Sequence, residues 1–113
     1  MFQIKKKLYE THLIVLTLIG EFDQKVKQEF LHEIQNAQRV TPQQIFVNLV
    51  NLSSIDCTAL GSLVLAHTSS IQLQIDFVLI MSQGHIQETL ELAGIEKVIP
   101  VIFSDPRRVF PLQ

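Results

Sequence analysis

The chain has 113 residues, 47% hydrophobic and 18% charged, with 9 basic and 11 acidic side chains and a formal charge of −2. At about 100–200 residues per domain this is one domain over residues 1–113; the apolar fraction excludes a disordered chain and a single cysteine excludes a disulfide scaffold. The balanced charge leaves no footprint for nucleic acid or an anionic membrane, and no run approaches the ~18 apolar residues of a membrane span.

Residues 2–9 alternate, with Phe2, Ile4, Lys6 and Leu8 against Gln3, Lys5, Lys7 and Tyr9. This predicts an amphipathic edge strand, and three lysines suit an exposed edge. Such a start lacks the basic-then-apolar pattern of a signal peptide, and with the lone Cys57 it points to the cytoplasm. Glu10-Thr11-His12 is a tight connection. Leu13 to Ile19 forms a more buried, β-branched strand that Gly20 is expected to end. Two strands so closely linked pair as an antiparallel hairpin. Asp23 is the predicted N-cap of a helix to about Arg39, whose apolar stripe is Val26, Phe30, Ile34 and Ala37. Pro42 stops it. Ile45 to Val50 forms the next strand, with Asn48 embedded in it, and Asn51 to Ile55 forms a loop.

Asp56 caps a second predicted helix from Cys57 to about Ser69, where Leu60, Leu63, Val64 and His67 recur at i, i+3, i+4 and i+7. Ile71 to Met81 is the most hydrophobic strand, with Asp76 its one charge. Ser82 is expected to cap a third helix through Ala93, with Gly94 as its left-handed C′ residue. Val98 to Phe103 is the last strand, and Pro100 makes it an edge or a bulge. Asp105-Pro106 starts a helix that Pro111 limits to about one turn. That leaves Val109, Phe110 and Leu112 as an apolar strip hinting at a homodimer. The order β-β-α-β-α-β-α-β describes an α/β fold: a mixed sheet with an N-terminal antiparallel hairpin, right-handed crossovers and helices packed against it.

Enzyme chemistry finds no support. Gly20, Gly61, Gly84 and Gly94 are isolated, so neither a glycine-rich phosphate loop nor a Walker lysine is present. His12, His32, His67 and His85 fall in four different elements and read as structural residues, with His67 partly covered on its helix. No G-x-S-x-G occurs, and no histidine is paired with Cys57 by spacing. The expectation is a non-enzyme with neither cofactor nor metal.

One segment stands out: Ile45 to Gly61 is a strand, a polar run and a capped helix. A helix start presents unpaired N–H groups and the positive end of the dipole, so it tolerates an added anion and suits a phosphorylation switch. On this physics alone an ordinary capped helix is the simpler reading.

This stretch resembles the STAS domain, the fold of bacterial anti-sigma factor antagonists that also occurs in anion transporters. Gly20-Glu21-Phe22-Asp23 resembles the family's Gly-Glu-Leu-Asp after the second strand. Ile86 through Ile95 is similar to its third helix and closing Gly-hydrophobic turn, and Lys97-Val98-Ile99-Pro100-Val101 resembles its last strand. The likeness spans roughly residues 11–103. It implies a protein–protein interaction module that docks to an anti-sigma factor, often a serine kinase, and is released when the serine of Asp-Ser-Ser/Thr-Gly-Leu is phosphorylated. Asp56 is then the motif's Asp, and Cys57 stands at the phospho-acceptor position. Ala59 replaces the family's glycine, and Asn48 stands where many members have Asp.

Thr58 keeps a hydroxyl but lies about 100° further round the helix. The phosphoswitch is therefore expected to be lost while the docking shape survives. The resemblance implies a partner surface of Asp23, Ser53, Ser54, Ile55, Asp56, Cys57, Thr58, Leu60 and Val64. Asp23 and Asp56 would meet basic or polar groups of the partner, and Ile55, Leu60 and Val64 would form an apolar rim. The expected partner is a kinase-type anti-sigma factor or another regulatory protein. Alternatives are a STAS subunit of a transport or stress-signalling assembly, or a redox or ligand sensor with Cys57 at a helix start. Against the latter, Cys57 reads as a small, semi-buried hydrophobe.

Overall fold

The alternation of strand and helix periods is realised in the computed structural model, which describes residues 1–10 and 12–104. In chain order, β1 (Phe2–Tyr9) and β2 (Leu13–Phe22) are followed by a 3-10 turn (Gln24–Val26) and α1 (Lys27–Arg39). Next come β3 (Gln44–Ile55), α2 (Cys57–Gln72), β4 (Asp76–Met81) and α3 (His85–Leu92), then a second 3-10 turn (Ile95–Lys97) and β5 (Val101–Phe103). The sheet order is β1-β2-β3-β4-β5, with β1 antiparallel to β2 and the other neighbours parallel.

Because the parallel strands succeed one another without reversal, right-handed crossovers place all three helices on one face. Leu16, Val47 and Leu79 of the sheet share a core there with Phe30 and Ile34 of α1, Leu63 of α2 and Leu90 of α3. Leu13, Val15, Phe46 and Ile80 form a second cluster from the opposite parity of the same strands. Of the predicted stripe, Phe30, Ile34 and Ala37 are buried in α1, whereas Val26 belongs to the preceding 3-10 turn and packs half-buried against the same core. The Gln38 amide donates to the hydroxyls of Ser69 and Ser70 (2.9 and 3.0 Å), which ties α1 to α2.

Several boundaries differ from the sequence reading, each for a local reason. β2 does not end at Gly20 but runs to Phe22, because Gly20 adopts φ +99° and keeps its pairing. A Cβ there would strike the Met1 carbonyl. β3 continues through the predicted loop to Ile55 because its ladder with β2 persists to Phe22↔Ile55. α2 extends to Gln72, and β4 starts only at Asp76. Its end is a Schellman motif without glycine. Gln74 takes φ +63°, the Gln74 N–H donates to the Ile71 carbonyl, and the Ile75 N–H donates to the Ser70 carbonyl (both 2.9 Å).

The N-cap of α3 is Gly84 rather than Ser82, and its N–H donates to Gln87 Oε1 at 3.2 Å. Gly94, at φ +73°, is the left-handed residue after α3, as the sequence predicts. Val98 lies outside the last strand, which is a three-residue edge beginning after Pro100. The helical turn at Asp105-Pro106 and the strip of Val109, Phe110 and Leu112 lie outside the described residues. Among the described residues no helix is long and apolar enough to cross a membrane.

Candidate functional site

The chain brings its candidate residues together where β2 and β3 end side by side. Phe22, fully buried, anchors the end of β2 by stacking on Phe2 (5.5 Å between centroids) and tilting against Phe30 (4.9 Å). Immediately after it, Asp23 Oδ1 accepts from the Lys25 N–H at 2.9 Å and caps the 3-10 turn. Asp56 does more. Its N–H donates to the Phe22 carbonyl at 3.1 Å, its Oδ1 accepts from the Ala59 N–H at 2.8 Å, and its Oδ2 accepts from the Gln24 N–H at 3.1 Å. One carboxylate thus satisfies orphan donors at the start of α2 and at the turn leading into α1. The positive end of α2 and the free N–H groups of the 3-10 turn meet here, and the negative charges of Asp56 and Asp23 offset them.

β3 reaches this junction irregularly. Between Thr17 and Phe22 on β2, the matching stretch of β3 runs from Asn48 to Ile55, so β3 holds two extra residues at two register shifts. Asn48 Oδ1 accepts from the Val50 N–H (3.0 Å) at the first shift, which gives that amide a partner where the ladder is interrupted. The second lies beside Ser53, between the pairs Gly20↔Leu52 and Glu21↔Ser54. β4 follows β3 only as far as Asn48↔Ile80, so the rest of β3 overhangs it. The start of α3 fills that gap: His85 Nε2 lies 2.7 Å from the Ser53 carbonyl. A carbonyl only accepts, so Nε2 carries the proton. Beside it, an open cavity of about 120 Å³ is lined by Leu49, Val50, Leu52 and residues 82–86.

This strand–bulge–cap arrangement occurs in a chain whose residues 3–108 match the family model described as the STAS domain. The chain belongs to the STAS family. Among curated proteins, no relative matches this STAS chain. Among solved structures, it is similar to an anti-sigma factor antagonist from Mycobacterium paratuberculosis, with TM-score 0.80 and 14% identity over 89% of this chain and 85% of that one. It is also similar to the anti-sigma factor antagonist SpoIIAA in its unphosphorylated form, with TM-score 0.77 and 14% identity over 92% and 90% of the two chains. The phosphorylated form of SpoIIAA from Bacillus gives TM-score 0.71 at 14% identity, covering 92% of this chain and 93% of that one. At such identities the likeness is one of fold.

Within the STAS chain the sequence-predicted site residues fall into three groups. Ser53, Ser54 and Cys57 are exposed, while Asp23, Ile55, Asp56, Thr58 and Val64 are half-buried around them. Leu60 departs from the expected apolar rim: at 8% exposure it packs in the main core, because its helix position faces the sheet. Ile55 and Val64 also pack against that core. Cys57 is not the semi-buried hydrophobe of the sequence reading but an exposed free thiol, since the first residue of α2 points away from the sheet. Asp23 and Asp56 are engaged as caps by their own backbone.

His85 was invisible to spacing, because 32 residues separate it from its partner Ser53. Only the fold joins them. His67 is half-buried on α2, edge-on to Phe77 at 5.9 Å, and burial lowers its pKa from the usual 6.5. Among the described residues, no three His, Cys, Asp or Glu side chains cluster as metal ligands.

Proposed function

We propose that this STAS chain is a non-catalytic docking module of the anti-sigma factor antagonist class. It engages a kinase-type anti-sigma factor, or another regulatory protein, through Ser53, Ser54, Asp56, Cys57 and Thr58. Asp23, Ile55 and Val64 stand at the margin. The observation that carries the reading is the double role of Asp56. By capping α2 and holding the Gln24 N–H, it fixes a junction on which Ser53, Ser54 and Cys57 stay exposed. The fold shared with SpoIIAA supports the class of partner.

In this reading the phosphoswitch is lost. A serine kinase transfers phosphate to a hydroxyl oxygen, and the exposed group at the start of α2 is the Cys57 thiol. Thr58 is half-buried and turned about 100° away. The test mixes the protein with a kinase-type anti-sigma factor of the same host, with and without ATP, and reads complex formation and intact mass. A complex that persists in ATP without a phosphate adduct is expected. Cys57→Ser gains a phosphate and dissociates, and Cys57→Glu weakens binding by about tenfold or more, because it places charge in a packed surface. Absence of any complex, or phosphate on Thr58 of the unaltered chain, overturns the reading. Co-purification with transport proteins alone points instead to a STAS subunit of another assembly. The exposure of Cys57 also favours a thiol-sensing reading, which sulfenic acid trapping with dimedone after peroxide treatment tests.

A further inference from the structure

We propose that the outer edge of β1 is a docking strand for an acidic, extended segment of a partner protein. β1 is first in the sheet order, and among the described residues no strand lies beyond it. Its eight residues pair with β2 without a register shift and contain no proline. The free edge is therefore a regular ladder of about 27 Å at ~3.4 Å per residue. Natural edges are blunted by shortness, bulges, proline or charge. Here charge alone does it: Lys5, Lys6 and Lys7 are all exposed. No carboxylate among the described residues pairs with them, and the Lys7 ammonium lies 5.2 Å from the centre of the Tyr9 ring.

The pleat decides which occupant fits. Alternation sends Lys5 and Lys7 to one side of the sheet and Lys6 to the other. The cations thus flank the edge from both sides instead of forming one flat basic surface. A membrane or a nucleic-acid backbone meets one set only, whereas a strand added in the plane of the sheet meets all three. Charge opposes a second copy of this edge in the register that brings the three lysines together. Antiparallel pairing centred on Lys6 sets Lys6 opposite Lys6 and Lys5 opposite Lys7, a destabilising like-charge ladder. Consecutive carboxylates on the incoming strand make the same contacts attractive. Main-chain hydrogen bonds then supply affinity, and the lysines supply selection. Leu8, 52% exposed on the side of Lys6, offers apolar surface to the added strand.

The test uses the full chain and a fluorescein-labelled peptide, Val-Thr-Glu-Glu-Glu-Val-Thr, read by anisotropy and by amide hydrogen exchange. Binding with slowed exchange of β1 amides is expected. A peptide with alternate amides N-methylated keeps every charge and should bind about tenfold more weakly. The triple variant Lys5→Glu, Lys6→Glu, Lys7→Glu should lose about tenfold or more for the acidic peptide and gain binding to Val-Thr-Lys-Lys-Lys-Val-Thr, which shows that it still folds. Equal binding of the N-methylated peptide, no binding of the acidic peptide, or preference for phosphatidylserine vesicles over the peptide overturns the proposal. None of these readouts involves the junction at Ser53–Thr58, so this proposal and the functional one fail separately.

Discussion

The two neighbours of β2 treat the same strand in different ways. Along β1 the pairing is regular from Phe2↔Gly20 to Tyr9↔Leu13. Along β3 it is broken twice, and residues around Asn48 and Ser53 stand outside the regular pairing. The hairpin adds an edge strand to the sheet, and regular alternation does that. The parallel neighbour must also deliver a helix start to the surface, and the extra residues set where Ser53, Ser54 and Asp56 emerge. Regular pairing leaves β1 a continuous edge, whereas the irregular pairing of β3 sets where a helix start and the residues around it reach the surface.

Breaking the regular side should have the largest effect. Gly20→Ala forces a side chain into φ +99° and onto the Met1 carbonyl, which should cost about 3 kcal/mol in urea unfolding. Asp56→Ala strikes the irregular side. Losing the cap of α2 together with the bond from Gln24 should cost about 1–2 kcal/mol. Asp56→Asn keeps one acceptor and should fall between the alanine variant and the unaltered chain. A hydrogen-exchange map sharpens the contrast: Asp56→Ala should loosen the starts of α1 and α2 and leave the β1–β2 amides protected. If the hairpin loosens equally, the two regions are one cooperative unit and the distinction fails.

The smallest expected effect belongs to neither region. Burial depresses the pKa of His67 in the folded chain, so the unfolded chain binds the proton more readily. The neutral ring's contribution is complete above pH 6.5, the unfolded value, and is lost as pH falls through the lower folded one. His67→Gln should flatten that acid-side slope in unfolding titrations without altering the behaviour of either region.

The hairpin and the helices were legible in the sequence because period-two and period-3.6 patterns report burial directly. Phe30, Ile34 and Ala37 are a case in point. The end of β3 was not. Its core-facing residues Ile45, Val47, Leu49 and Leu52 step by two until Leu49 and then by three, because an extra residue shifts the alternation. To a period-two reading that is a loop. The end of α2 was hidden for another reason: Gln74 holds a left-handed turn usually marked by glycine. At the site, Asp23 and Asp56 were legible as caps because capping is local. The bonds from Gln24 to Asp56 and from His85 to Ser53 each span 32 residues and leave no trace in spacing.

Those long spans bear on the order in which the molecule is built. The β1–β2 hairpin closes around a short turn, a local event that is fast in an unfolded chain. The contacts of Asp56 with Phe22 and Gln24 must wait until α1 and β3 have been laid down between them. A half-folded or newly synthesised chain is thus expected to display its lysine-bearing hairpin before its junction at Asp56 exists. In the proposed function, docking at that junction doubles as a check that folding is finished.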